Sequence, residues 1–136
     1  MASKTFVIIK PDAISRGLIG KIISRFEDKC LKIVAIEMME KDYLWCRLHY
    51  ESISGYVYRK LEEFMLSAPL IGIVLEGPDV IRVVKIMVGS TDSLLAEPGT
   101  IRGDYGLQPI RYNVVHAADS PMAVEREIKL FFGRVI

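Results

Sequence analysis

Residues 5–9, Thr-Phe-Val-Ile-Ile, form an unbroken β-branched and aromatic run closed by Pro11. This predicts a buried strand with Lys10 at its carboxyl end. Leu18, Ile19, Ile22, Ile23 and Phe26 then recur at helical spacing, with Lys21, Arg25 and Asp28 between them, so an amphipathic helix follows. Leu31 to Met38 and Leu70 to Leu75 are further runs of strand length. Between them, Asp42 to Leu66 reads as helix in two pieces, broken near Ser54-Gly55. Asp79 to Val88 carries conflicting signals. Its β-branched residues favour a strand, but Asp79 and Gly89 suit the two ends of a helix, and the ends decide for helix. Residues 89–109 are rich in glycine and proline and show little apolar periodicity. A loop of about 20 residues is uncommon in a compact domain and tends to carry function. Tyr112 to His116 predicts a short fourth strand. Ser120-Pro121 then supplies an N-cap and a first helical residue, and Val124, Ile128 and Phe131 make the buried stripe of a last helix.

The resulting order is β-α-β-(α)-β-α-β-α. It predicts an α+β fold of the ferredoxin-like βαββαβ kind: a four-stranded antiparallel sheet with helices packed on one face. A doubly wound fold suits it less, because the helix between the second and third strands is irregular and the sheet is small. At 136 residues, with no repeat or low-complexity segment, residues 1–136 are expected to form a single domain.

Composition narrows the function classes. About half the residues (51%) are hydrophobic and 26% charged, as in an ordinary globular protein, and the net charge is +1. No overall field draws the chain to nucleic acid or to an anionic membrane, so any phosphate affinity must be local. No apolar run approaches the roughly 20 residues that span a bilayer, and no signal peptide is evident. Cys30 and Cys46 form no CxxC, and two histidines give no zinc spacing. The expectation is a reduced, cytoplasmic protein.

The candidate chemistry centres on residues 113–120, Asn-Val-Val-His-Ala-Ala-Asp-Ser. A fixed, exposed imidazole such as His116 is a suitable nucleophile for a phosphorus centre near neutral pH. Residues 98–104, Pro-Gly-Thr-Ile-Arg-Gly-Asp, add a glycine-rich loop in which Arg102 suits either a phosphate oxygen or Asp104. Lys10 at its strand end either projects into a crevice or sits as a solvated charge. Asn113 precedes His116 by three, which places the two on opposite faces of a strand unless the strand ends or twists between them. Glu127, two turns into the last helix, is placed either to orient His116 or merely to face solvent. His49 reads as a satisfied, half-buried histidine. Neither GxxxxGK[ST] nor GxGxxG occurs, so any nucleotide is handled without a P-loop.

The segments Thr5-Phe-Val-Ile-Ile-Lys-Pro-Asp12, Arg16-Gly-Leu-Ile-Gly20, residues 98–104 and residues 113–120 resemble those of nucleoside diphosphate kinases, and the likeness runs along nearly the whole chain. The resemblance implies a homo-oligomer, usually a hexamer and sometimes a tetramer. It implies a ping-pong reaction in which a nucleoside triphosphate passes its γ-phosphate to a histidine and a nucleoside diphosphate takes it off. Mg2+ is implied as a cofactor that arrives with the nucleotide, held mainly through its phosphates. Residue by residue, His116 matches the phosphorylated nucleophile, Lys10 the lysine beside the transferred phosphate, and Tyr50 a nearby tyrosine. Thr91 and Arg102 match phosphate-binding positions, Asn113 the contact to the sugar hydroxyl, and Glu127 the carboxylate behind the histidine.

Four positions depart from the family pattern. Lys85 stands where an arginine is usual, keeping charge but losing a bidentate contact. Val57 stands at the aromatic that stacks on the base, with Tyr56 and Tyr58 as neighbours able to substitute. Ala118 replaces a serine that bridges towards the carboxylate, and Ala13 replaces a glycine, a mild change if its φ is negative. These departures suggest weaker nucleotide binding or slower reaction. They also define an alternative: a catalytically weak family member acting as a nucleotide sensor or scaffold. A nucleic-acid-binding ferredoxin-like module is less well supported, since the first strand lacks paired exposed aromatics. The chain ends soon after the last helix, without the longer C-terminal tail common in eukaryotic members, so a prokaryotic type is expected.

Overall fold

The computed structural model describes residues 2–136. Four strands, β1 (Ala2–Ile9), β2 (Lys32–Met39), β3 (Leu70–Pro78) and β4 (Val115–Ala117), form one sheet in the order β2-β3-β1-β4. Every neighbouring pair is antiparallel. The helices are α1 (Pro11–Ser15), α2 (Ile19–Asp28), α3 (Tyr43–His49), α4 (Gly55–Met65), α5 (Val80–Val88), α6 (Ile101–Tyr105) and α7 (Pro121–Phe132). The ferredoxin-like core is β1-α2-β2-β3-α5-β4. Helices α3 and α4 are inserted between β2 and β3, α6 precedes β4, and α7 follows it.

Helices cover both faces of the sheet, not one. Val7, Ile9, Ile73 and Leu75 pack with Ile22 and Phe26 of α2 and with Val80, Val84 and Val88 of α5. Phe6, Ile8 and Val74 pack with Trp45 of α3, Met65 of α4 and Ile128 and Phe131 of α7. The reason lies in β1. Its residues Phe6 to Ile9 are apolar without alternation, and a central strand of that kind must be buried on both sides. Gly72, opposite Ile8 in the β1–β3 ladder, makes room for the second layer. A Cβ there would lie 2.3 Å from Cε1 of Phe131, so the ring rests directly on the backbone of β3.

The ends of α5 and α7 follow their sequence signals. Gly89 closes α5 at φ +86, and the Ser120 hydroxyl accepts from the Ala123 N–H with Pro121 at the first helical position. Asp79 occupies the N-cap site of α5 without a capping bond, and its carboxylate pairs with Arg82 at 2.6 Å instead. Residues 89–109 are not all loop, because Thr100 caps α6 by accepting from the Gly103 N–H.

The fourth strand is shorter than its sequence predicts. It starts at Val115, because Val114 takes the left-handed conformation (φ 62). The Val114 N–H donates to Oδ2 of Asp12 at 3.1 Å, and its carbonyl accepts from the Lys10 N–H at 2.9 Å. A β-branched residue at positive φ is strained, and these two contacts to the end of β1 hold it there.

Candidate active site

The carboxyl end of β1 and the adjoining edge strand β4 open onto a cleft of about 640 Å³, closed on its far side by α4 and the segment around 110–113. Lys10, Tyr50, Val57, Lys85, Thr91, Arg102, Asn113 and His116 all line it. Glu127 stands behind His116, its Oε1 2.5 Å from Nε2 of the imidazole.

The kink at Val114 resolves the facing of Asn113. Because Asn113 precedes the strand rather than belonging to it, its side chain shares the cleft with His116. Asn113 Oδ1 accepts from Lys10 Nζ at 2.8 Å, and its amide donates to the Thr91 carbonyl at 2.9 Å. Lys10 is therefore no solvated charge. It is 5% exposed, gives a second hydrogen bond to the Arg111 carbonyl at 2.9 Å, and lies 5.4 Å from the centre of the Phe64 ring. Burial pulls its ammonium down to about pKa 8, Asp12 opposes that pull, and Arg102 adds to it. Burial also pushes the Asp12 carboxyl above its usual range, against the pull of Lys10, and Asp12 Oδ1 has no hydrogen-bond partner among the described residues.

Arg102 does not pair with Asp104. That carboxylate takes Arg25 at 2.5 Å, whereas Arg102 donates to the carbonyls of Gly89, Asn113 and Val115 at 3.1, 3.2 and 2.7 Å. Arg102 thus ties the glycine-rich segment and α5 to the start of β4 while contributing a buried positive charge at the cleft wall. Burial brings its guanidinium down to about pKa 10.

On the opposite wall, Val57 and Tyr56 are each 66% exposed and line the cleft. Tyr58 points away, buried, with its hydroxyl donating to Glu62 at 2.5 Å. Of the two neighbours of Val57, only Tyr56 faces the cleft. Lys85 lines the cleft, and Ala13 lies within α1, where a negative φ suits alanine. Ala118 is fully buried, and the only side-chain hydrogen bond of Glu127 among the described residues is the one with His116.

His49 is not a satisfied core histidine. It stacks on Trp45 at 4.8 Å and sets its ring against that of His116 at 4.7 Å and 78°, but its Nδ1 is buried with no partner. Burial first, then His116, hold its imidazole far below the usual range, so the ring is neutral. Tyr50 meets His49 edge to face, and burial raises its phenol.

Ile53, Lys60, Leu61, Ile110, Arg111 and Asp119 also line the cleft, and all but one of them carry no signal in the sequence. Leu61 alone carried a signal, four residues after Val57 on the same helix. The cleft is cationic, with Lys10, Lys60, Lys85, Arg102 and Arg111 against one carboxylate, Asp119. That balance suits a polyanion, and several of these charges converge on the neighbourhood of a histidine held by a carboxylate.

Fold and cleft together belong to the phosphotransferase class of enzymes. The profile described as nucleoside diphosphate kinase matches residues 3–135, so the chain belongs to that family. It is 50% identical over 132 residues to a nucleoside diphosphate kinase of Pyrococcus furiosus, covering 95% of this chain and 82% of that one. It is 49% identical over 133 residues to one from Methanocaldococcus jannaschii, covering 97% and 94%. Among solved structures, it superimposes with a TM-score of 0.93 on a halophilic nucleoside diphosphate kinase from Halobacterium salinarum in complex with CDP. That match has 42% identity and covers 98% of this chain and 90% of that one. The Aquifex aeolicus nucleoside diphosphate kinase matches over the full length of both chains with a TM-score of 0.92 and 33% identity.

Proposed function

We propose that the protein transfers the γ-phosphate of a nucleoside triphosphate to a nucleoside diphosphate by a ping-pong route through a phosphohistidine at His116. The observation that carries this reading is the contact between Nε2 of His116 and Glu127. Nε2 is the donor to the carboxylate, so Nδ1 keeps its lone pair and is the nucleophile. In the first half-reaction the Nδ1 lone pair forms a bond to the γ-phosphorus, and the bond to the β–γ bridging oxygen breaks. The nucleoside diphosphate leaves with that electron pair. In the second half-reaction a terminal oxygen of another nucleoside diphosphate takes the phosphoryl group back from nitrogen.

Phosphoryl transfer asks the protein for position and positive charge around the phosphoryl oxygens. Lys10 supplies an ammonium aimed by Asn113 and the Arg111 carbonyl. Arg102, Lys85 and Thr91 extend the phosphate-binding wall, Asn113 offers the sugar contact, and Tyr50 borders the nucleophile. Val57 and Tyr56 take the base, with apolar contact in place of base-specific hydrogen bonds.

Mg2+ fits this donor set only as a companion of the nucleotide. Among the cleft residues one carboxylate, Asp119, offers a hard oxygen ligand, so phosphate oxygens must supply most of its coordination. When bound, Mg2+ neutralises phosphate charge.

The exposed apolar residues Ile36 and Met38 on edge strand β2, and Leu94, Leu95, Leu107 and Ile110 around α6, suit subunit contacts of a homo-oligomer, a hexamer or a tetramer. Among the described residues no helix is long and apolar enough to cross a membrane, and both cysteines are unpaired. The unpaired thiols and the nucleotide substrates support the cytoplasm as the working compartment.

Steady-state kinetics test the proposal. Varying a nucleoside triphosphate at several fixed concentrations of diphosphate should give parallel double-reciprocal lines, and His116→Ala should abolish the exchange. Intersecting lines would mean direct transfer between two bound nucleotides and would overturn the phosphohistidine route.

A further inference from the structure

We propose that His49, His116 and Glu127 form a binding site for a borderline divalent cation of the Zn2+ type, distinct from any ion that travels with the nucleotide. One donor atom from each residue lies within 4.8 Å of the other two. Two imidazoles and a carboxylate are a donor set that Zn2+ favours, and Mg2+, which prefers all-oxygen ligands, does not.

The second observation is independent of that proximity. Nδ1 of His49 is buried with no hydrogen-bond partner among the described residues, and the residue is 9% exposed. The unpaired nitrogen carries a desolvation cost that a bound ion would remove, and its ring, stacked on Trp45, lies 4.7 Å from that of His116. The nearest obstacle is Arg126. Its guanidinium is engaged by the Leu48 carbonyl and by the Glu51 carboxylate at 3.3 Å, which partly neutralises its charge. Around a tetrahedral Zn2+ the donors stand about 3.4 Å apart, so the set closes by side-chain rotation of an ångström or so. Nothing in the sequence hints at this site, since 67 residues separate the two histidines.

Its consequence, which rests on the phosphohistidine reading, is inhibition. With the ion on Nε2 in place of its proton, the ring proton resides on Nδ1, so the lone pair that would attack phosphorus is gone, and Glu127 bound to the ion no longer orients the ring. Zn2+ would hold the enzyme in an unphosphorylated state while the nucleotide cleft stays open.

The test uses the full chain in a Cys30→Ser background, which removes the exposed thiol as a competing ligand. Co2+, a spectroscopic stand-in for Zn2+, is titrated without nucleotide, and Zn2+ affinity is measured by competition with a chromogenic chelator. The expected result is one equivalent bound, visible absorption of low-coordinate Co2+, and no displacement by millimolar Mg2+. His49→Gln and Glu127→Gln should each weaken Zn2+ by about tenfold or more. Circular dichroism of both variants checks that they remain folded, and Glu127→Gln stands in if loss of the Trp45 stack unfolds His49→Gln. Co2+ that keeps its pale octahedral spectrum, or Zn2+ affinity unchanged in both variants, overturns the site. Because no nucleotide is present, a chain that binds Zn2+ but never forms a phosphoprotein would contradict the kinase route and leave the metal site standing.

Discussion

Replacing Glu127 by glutamine tests the positioning of the nucleophile. Glu127 is 8% exposed, and its Oε1 sits 2.5 Å from Nε2 of His116, so solvent screens the pair poorly. As the Nδ1–phosphorus bond forms, positive charge spreads across the ring to Nε2, and the carboxylate opposes it at short range. A hydrogen bond to a charged group contributes about 1.5–3 kcal/mol, and a neutral one about 0.5–1.5 kcal/mol. Glutamine keeps a carbonyl acceptor and loses the charge, a difference of about 1–1.5 kcal/mol in the transition state, or roughly tenfold in rate. Alanine loses the whole bond and frees the ring, so the rate should fall by roughly 10- to 150-fold. Glu127 does not line the cleft, so nucleotide KM should hold while kcat falls. Rapid-quench single turnovers with γ-labelled ATP read the rate, and thermal melting confirms that α7 stays docked. A glutamine variant within twofold of the parent, or one whose KM rises at constant kcat, would refute this role for the carboxylate.

Four further outcomes follow from the same geometry. With Lys10 near pKa 8, kcat/KM should fall as pH rises through about 8, and Lys10→Met should flatten that alkaline limb; a limb that persists in the variant belongs to another group. The same shift makes stability rise with pH between about 8 and 10.5, because the unfolded chain there holds more protons on Lys10 than the folded one, as urea titrations across that window will show. Gly72→Ala should cost about 1–3 kcal/mol by driving a Cβ into the Phe131 ring, read as a drop in urea midpoint, and Phe131→Leu in the same chain should recover part of it. Ala118→Ser, restoring the serine that the family resemblance implies beside the carboxylate, should speed single-turnover phosphorylation; an unchanged rate would remove Ala118 as a cause of slow transfer.

Much of the fold was legible because local signals agreed. The helical spacing of Leu18 to Phe26, the Ser120-Pro121 start and the Gly89 stop each specify one element and its end. The covering of both sheet faces is written in Phe6 to Ile9, since an unbroken apolar strand signals two packed faces whatever the strand direction, whereas the order of elements alone suggests one. The start of β4 was not legible. Val114 adopts a conformation that valine disfavours, and it does so for contacts with Asp12 and Lys10, about a hundred residues away. The cleft divides in the same way. Residues in dense motifs, Lys10, Arg102, Asn113 and His116, could be singled out as candidates from sequence. Tyr56 and Tyr58 are adjacent to Val57 and face opposite ways, which helix phase decides and composition does not. His49 looked ordinary because its unpaired Nδ1 and its contact with His116 exist only in three dimensions.

The most direct measurement is transfer of label to the protein itself. The chain is incubated with γ-labelled ATP and Mg2+, quenched in alkali, and examined for an acid-labile phosphoprotein beside His116→Ala. The account predicts label on the parent chain only, released when any nucleoside diphosphate is added. Label that survives His116→Ala, or a parent chain that exchanges phosphate without ever carrying it, would contradict the central role of His116.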